Sequence, residues 1–196
     1  MKHIVLASGS PRRKEILQKT KLPFTIVVSE YVEDMTEDLP PKVLAEKLSR
    51  GKAEKVASQH PDAVVIAADT FVAFGDKLLG KPKSEKEAEE MLRMVSGKRL
   101  TVITGVTIME KAQAKEISFS EETILEMKEM TDEEIFAYIK TGEPMDKAGA
   151  FGMQELGASF VKRVEGDFFS AVGLPLYRLM QELKDFGIHA FQQSPD

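Results

Sequence analysis

The chain has 196 residues, of which 42% are hydrophobic and 30% charged, with a net charge of −5, three histidines and no cysteine. This balance suits one folded domain, or a compact two-lobed unit, that buries roughly 70% of its unfolded surface; it argues against intrinsic disorder and against coating nucleic acid by bulk charge. Without cysteine there is no disulfide, thiolate nucleophile or zinc–thiolate centre, and three scattered histidines do not make a histidine metal site.

The apolar N-terminal run ends by Ala7, and no segment approaches the length of a membrane span. Neither signal peptide nor membrane contact is therefore expected, and a reducing, cytoplasmic location is the simplest. Residues 3–7 read as a buried strand. Ser10 then stands at the cap of a helix that has Pro11 at its first position and runs to about Thr20. The stretch "LASGSPRRKEIL" places Arg12 and Arg13 at the positive end of that helix, where cations are unfavourable unless an anion shares the site. With the hydroxyls of Ser8 and Ser10 and the small Gly9, it reads as a phosphate cradle. The alternative is a solvated helix start with an arginine paired to Glu15 or Glu33. No G-x-x-x-x-G-K-[ST] loop occurs anywhere in the chain.

A second strand is expected at 24–28, followed by an acidic loop at 29–38 in which Glu30, Glu33 and Asp34 are candidate oxygen ligands for Mg²⁺ or Mn²⁺, or are merely solvated. From Pro41 to about Gln59 the spacing predicts a helix with Leu44, Ala45, Leu48 and Val56 on one face. Lys52 falls within that face and must either snorkel to water or meet an anion. The run "DAVVIAADTFVAF" (62–74) predicts a central strand broken in its middle by Asp69. An ionised carboxylate among such neighbours is heavily penalised without a cation beside it. Asp69 is thus either functional or satisfied by Thr70 and backbone donors. A turn at Gly75-Asp76 returns the chain through "KLLG" to Lys81, whose default reading is a surface lysine.

Ser84 with Glu87, and Thr131 with Glu134, form capping boxes for helices ending near Gly97 and Gly142. Between them, 99–109 and 115–127 alternate like paired antiparallel strands. The segment "TGEPMDKAGAFGMQ" (141–154) lacks a clear period and brings Asp146, Lys147 and Gln154 among glycines; Gln154 can both donate and accept toward a base edge. Its alternative is an ordinary polar loop. A strand at 158–164, a helix at 171–186 and a frayed tail from about 190 complete the chain. The pattern predicts an α/β fold with a mixed, twisted sheet and helices on both sides. Basic groups for phosphates, acids for a metal and one buried carboxylate as general base together point to metal-assisted attack of water on the phosphoanhydride of a nucleotide.

The segments "SGSPRR", "AADT", "GKP" and "GEPMDKAGAFGMQ", in this order and spacing, resemble the Maf family of nucleotide pyrophosphatases over about residues 3–176. "DKAG" followed by "GMQ" is similar to the branch that hydrolyses dTTP and UTP. The resemblance implies a single domain over 1–196 with an elongated, two-lobed architecture shared with inosine triphosphate pyrophosphatases and a cleft between the lobes. It implies Asp69 as proton acceptor and, with Glu33, as ligand of a divalent cation (Mg²⁺ or Mn²⁺). It implies Arg12, Arg13, Lys52 and Lys81 as holders of the triphosphate, aided by Ser8. Arg12, Thr70 and Gln154 match selectivity positions, and Asp146 and Lys147 lie in the matching loop. Water would attack the α-phosphorus to release the nucleoside monophosphate and pyrophosphate. A nucleoside triphosphate substrate and a homodimer are implied as partners, with neither membrane nor nucleic acid. The family's link to septum formation leaves a second class open, a regulator that binds nucleotide or nucleic acid without hydrolysis. Two positions depart from the family pattern: residue 51 is Gly where a larger polar residue is expected, and residue 153 is Met rather than Ile.

Overall fold

A strand with no polar face must be covered on both sides, and Ile4-Val5-Leu6 and the run from Val64 are such strands. In a computed structural model, which describes residues 2–34, 39–75 and 77–189, β1 (Ile4–Leu6) and β3 (Val64–Phe74) pair in parallel with Ile4 opposite Val64. Every side chain of β1, and of β3 as far as Ala68, is shielded from solvent. The short β2 (Phe24–Ile26) adds a parallel edge to β1, while β4 (Lys77–Leu79) returns antiparallel on the far half of β3. With β5 (Arg99–Glu110), β6 (Lys115–Met127) and β7 (Val161–Glu165) the strand order is β2-β1-β3-β5-β6-β7, with β4 on β3, a seven-stranded mixed sheet flanked by helices. The α/β expectation holds.

The chain divides into two compact units: unit 1 comprises residues 1–69, 104–121 and 173–196, and unit 2 comprises 70–103 and 122–172. In unit 1, α1 (Pro11–Gln18) buries Ile16 and Leu17, and α2 (Pro41–Ala57) buries the expected Leu44, Ala45, Leu48 and Val56. Ala53, Val56 and Ala57 of α2 form one apolar cluster with Val5, Ala7, Val65 and Ala67 of the strands. The approach is close, because a Cβ placed on Gly105 of β5 would lie 2.3 Å from the carbonyl carbon of Ala45.

Unit 2 has its own core, in which α3 (Glu85–Val95) and α4 (Asp132–Lys140) pack Ala88, Leu92, Val95, Ile135 and Ile139 against Val72, Leu100, Val102 and Leu125. The box at Thr131 and Glu134 is complete. At α3 only half of it forms: Ser84 accepts from the Glu87 N–H, but the Glu87 carboxylate accepts from the Lys83 N–H rather than from Ser84.

Three further expectations are corrected. Asp69 does not break its strand; β3 runs through it, because a carboxylate with a cation beside it leaves the backbone ladder intact. The strand expected at 158–164 begins at Val161, since 156–160 wind into a 3₁₀ turn that sends Phe160 into the unit 2 core. The helix expected over 171–186 is interrupted: α5 (Phe168–Val172) ends at Gly173, which has φ 128°, and α6 (Leu176–Glu182) starts after Pro175. A residue before proline is pushed out of the helical region, which separates the two helices. The acidic stretch beyond Asp34, at 35–38, together with Asp76 of the turn and the tail at 190–196, lies outside the described residues.

Candidate active site

Side chains along a strand alternate between faces, so Val65, Ala67 and Asp69 share the face of β3 that α2 covers. On α2, residues four apart stack on one side, and Lys52 stands between Leu48 and Val56, both essentially inaccessible. The two periodicities bring a partly buried ammonium to a buried carboxylate: Lys52 Nζ lies 2.5 Å from Asp69 Oδ1. Lys52 therefore does not snorkel. The same ammonium pairs with Glu33 Oε1 at 2.7 Å, which ties the acidic loop to α2. Glu30 and Asp34 are exposed. Next to Lys52, Gly51 faces the ring of Tyr31, where an added Cβ would lie 2.3 Å from a ring carbon. The departure at residue 51 makes room for that aromatic anchor, two residues before Glu33.

The opening of α1 completes this group. The Ser10 side chain makes no cap hydrogen bond, and no acidic residue occupies the first turn. Instead Ser8 Oγ, buried behind the helix start, accepts from the Ser10 N–H at 3.2 Å and from Arg13 Nη1 at 3.3 Å. Arg13 Nε donates to the Gly173 carbonyl at 3.0 Å. Burial lowers the Arg13 pKa, opposed by the charge of Asp69, while the neighbouring Arg12 adds repulsion. The Asp69 carboxyl is pushed up by burial, against the pull of Lys52 and Arg13. Three cations, Arg12, Arg13 and Lys52, thus stand with two carboxylates, Asp69 and Glu33, within unit 1. Asp69 Oδ1 is held by Lys52, whereas Oδ2 is buried with no hydrogen-bond partner among the described protein atoms. An acceptor oxygen in that condition is suited to a proton or a cation from a ligand.

A second group forms within unit 2. The Gly149 N–H donates to the Gly80 carbonyl at 3.0 Å, which joins the 141–154 segment to the turn carrying Lys81. Lys81 and Gln154 are exposed, and Thr70 is partly so. Lys147 is unexpectedly buried, with Nζ at 2.5 Å from Asp146 and 3.4 Å from Glu155. Far from being an ordinary polar loop, the segment winds through the 3₁₀ turns Glu143–Asp146 and Ala148–Ala150, with Gly149 at φ 72° where a side chain would be strained.

Ser8, Arg12, Arg13, Glu33, Lys52 and Asp69 therefore gather in unit 1, and Lys81, Asp146, Lys147 and Gln154 belong to unit 2, as does Thr70. Sequence reasoning missed Gly173 and Tyr31 as supports. The "GLP" at 173–175 is a visible break in the helix pattern and was the available signal for Gly173. No local signal marks Tyr31.

The family profile described as Maf-like protein matches residues 3–186. A dTTP/UTP pyrophosphatase of Methanosarcina mazei is 47% identical over 195 residues, covering 99% of both chains. One of Bacillus cytotoxicus is 47% identical over 186 residues, covering 95% of this chain and 96% of its own. Among solved structures, the Staphylococcus aureus Ham1 protein aligns with a TM-score of 0.53 at 15% identity, covering 95% of this chain and all of that one, a likeness of fold alone.

Proposed function

Because the chain belongs to the Maf family, we propose that it hydrolyses dTTP and UTP to the nucleoside monophosphate and pyrophosphate, with Asp69 as general base. Near full-length identity to relatives of that name supports the substrate class. The observation that carries the catalytic assignment is the divided carboxylate of Asp69, one oxygen held by Lys52 and the other bare and buried.

In this reading Arg12, Arg13 and Lys52 hold the triphosphate oxygens, with the α1 N-terminus and the Ser8 hydroxyl beside them. Lys81 adds charge to the leaving pyrophosphate. Arg12, Thr70 and Gln154 select the nucleotide, and Asp146 and Lys147 shape the loop that carries Gln154. Water forms the new bond to the α-phosphorus and gives its proton to the Asp69 carboxylate, the bond to the bridging oxygen breaks, and pyrophosphate departs with that oxygen. Lysine and arginine charges stabilise the negative charge that builds on the phosphoryl oxygens. Burial keeps the Asp69 carboxylate poorly solvated and therefore a better base than an exposed aspartate.

The donor set fits a hard divalent cation. Asp69 Oδ2 is an orphaned oxygen, Glu33 reaches the same ammonium as Asp69, and no cluster of three or more ligating side chains occurs among the described residues. Mg²⁺ and Mn²⁺ retain waters and take substrate phosphate oxygens, so two carboxylates suffice. Bound there by Asp69 and Glu33, the cation would supply charge to the phosphates. No described helix is long and apolar enough to cross a membrane, and a cysteine-free chain suits the reducing cytoplasm.

Asp69→Asn keeps size and shape and removes the base. Its turnover of dTTP is expected to fall at least a hundredfold, roughly the low end of what a general base contributes, with an unchanged circular dichroism spectrum. Normal turnover by this variant sinks the assignment, and release of orthophosphate rather than pyrophosphate by the native protein sinks the reaction class.

A further inference from the structure

One carboxylate outside the residues discussed above organises the loop that carries Lys147 and Gln154. Glu143 Oε1 accepts from the Tyr138 hydroxyl at 2.8 Å and from the Gly157 N–H at 2.9 Å, and Oε2 accepts from the Leu156 N–H at 3.0 Å. The Tyr138 oxygen accepts in turn from the Gly152 N–H at 3.2 Å. One side chain at the start of the loop thus clasps its end at 156–157, and a phenol from α4 pins its middle.

The packing leaves no slack. A Cβ on Gly157 would lie 2.5 Å from the Tyr138 oxygen and 2.7 Å from the Gly152 nitrogen. A Cβ on Gly152 would lie 3.1 Å from both Glu143 Oε1 and Lys147 Cε. Gly152 is therefore wedged between Glu143 and the buried stem of Lys147, and Gln154 follows two residues later. Burial and the adjacent Glu143 carboxylate push the Tyr138 phenol well above its ordinary range, so it stays a donor.

We propose that Glu143, held by Tyr138, is a positioning residue that sets the placement of Lys147 and Gln154 and thereby the discrimination among nucleoside triphosphates. This rests on the reading above that Gln154 selects the nucleotide. Removing the clasp loosens where the selecting groups stand without touching the base or the phosphate-holding cations. The expected signature is a change in KM and selectivity with kcat preserved.

The test compares Tyr138→Phe, Glu143→Gln, their double variant and Gln154→Ala for kcat and KM with dTTP and CTP, alongside melting temperatures. Tyr138→Phe loses only a hydroxyl and is expected to raise KM for dTTP roughly fivefold to tenfold, leave kcat within about twofold, and narrow the dTTP-to-CTP ratio of kcat/KM. Glu143→Gln is expected to have the larger effect in the same direction, and the double variant to resemble it, since the two groups act as one unit. Lowered melting temperature in Tyr138→Phe with unchanged KM and selectivity marks a purely structural role and overturns the proposal. So does unchanged selectivity in both clasp variants while Gln154→Ala loses it. Unchanged selectivity in Gln154→Ala overturns the reading of the loop itself, and this proposal with it.

Discussion

Asp69 and Tyr138 are both buried acids with raised pKa values, but they have opposite partners. Beside Asp69 stands a cation, so burial is partly offset and the carboxyl rises only against the pull of Lys52 and Arg13. In the proposed reaction Asp69 acts as its ionised carboxylate, so the acid limb of kcat/KM is expected above the ordinary aspartate value of 3.8. Replacing Lys52 by Met removes the largest opposing influence and is expected to move that limb to still higher pH. A limb at or below the ordinary value in the native enzyme contradicts the assignment. Beside Tyr138 stands an anion, and burial and Glu143 together raise its pKa above the ordinary 10.0. The folded state then holds the phenolic proton more tightly than the unfolded state, so this contribution is complete below about pH 10 and lost as the pH rises beyond it. Urea denaturation of native protein and Tyr138→Phe near pH 8 and pH 10.5 is expected to show a larger alkaline loss in the native chain than in the variant.

Glycine and capping chemistry decide how the helices sit. In unit 1, α2 lies directly against β5 at Gly105, where an added methyl would meet the Ala45 backbone at 2.3–2.4 Å and the Glu46 nitrogen at 2.6 Å. Backbone cannot rotate away as a side chain can. Gly105→Ala is expected to destabilise unit 1 by about 1–3 kcal/mol, the usual range for an overpacked core, measured by chemical denaturation. In unit 2, α4 starts at a complete box, with the Glu134 N–H donating to Thr131 Oγ1 at 3.3 Å and the Thr131 N–H donating to Glu134 Oε2 at 3.0 Å. Thr131→Ala is expected to lower stability by about 1 kcal/mol. That cap was legible from four residues, because both of its bonds are local. The half-formed box at Ser84 was not, since Lys83 and Ser84 offer the same glutamate competing donors and spacing does not rank them.

Each unit is assembled from segments far apart in the chain. Unit 1 needs 104–121 and 173–196 as well as its N-terminal portion. Its final segment contributes the fully shielded Leu174, Leu179 and Leu183 and nearly shielded Phe186. Arg178 also lies over the Phe119 ring at 4.3 Å and donates to Glu121 at 2.9 Å. Ending the chain after Val172 removes all of these together with the Gly173 carbonyl that holds Arg13. Four large buried side chains at about 2–5 kcal/mol each rival the whole stability of an ordinary domain. The truncated chain is expected to lose the contribution of unit 1 to its thermal transition by circular dichroism, and a transition of normal amplitude contradicts this account of unit 1.

Local chemistry determined much of this protein in advance. Runs of β-branched residues made β3, four-residue spacing made the buried face of α2, and Pro11 after Ser10 started α1, because propensity and periodicity act over a few neighbouring residues. The same periodicities raised the questions of Lys52 and Asp69, a cation and an anion each on the wrong face. Only the tertiary structure decided that these two answer one another, that Glu33 joins them, that Arg13 is held by a carbonyl 160 residues away, and that Lys147 is buried. Such pairings depend on which strands become neighbours, and burial turns them from optional surface contacts into obligatory ones. No window of sequence contains that information, since desolvation is a property of the assembled core and not of the residues that enter it.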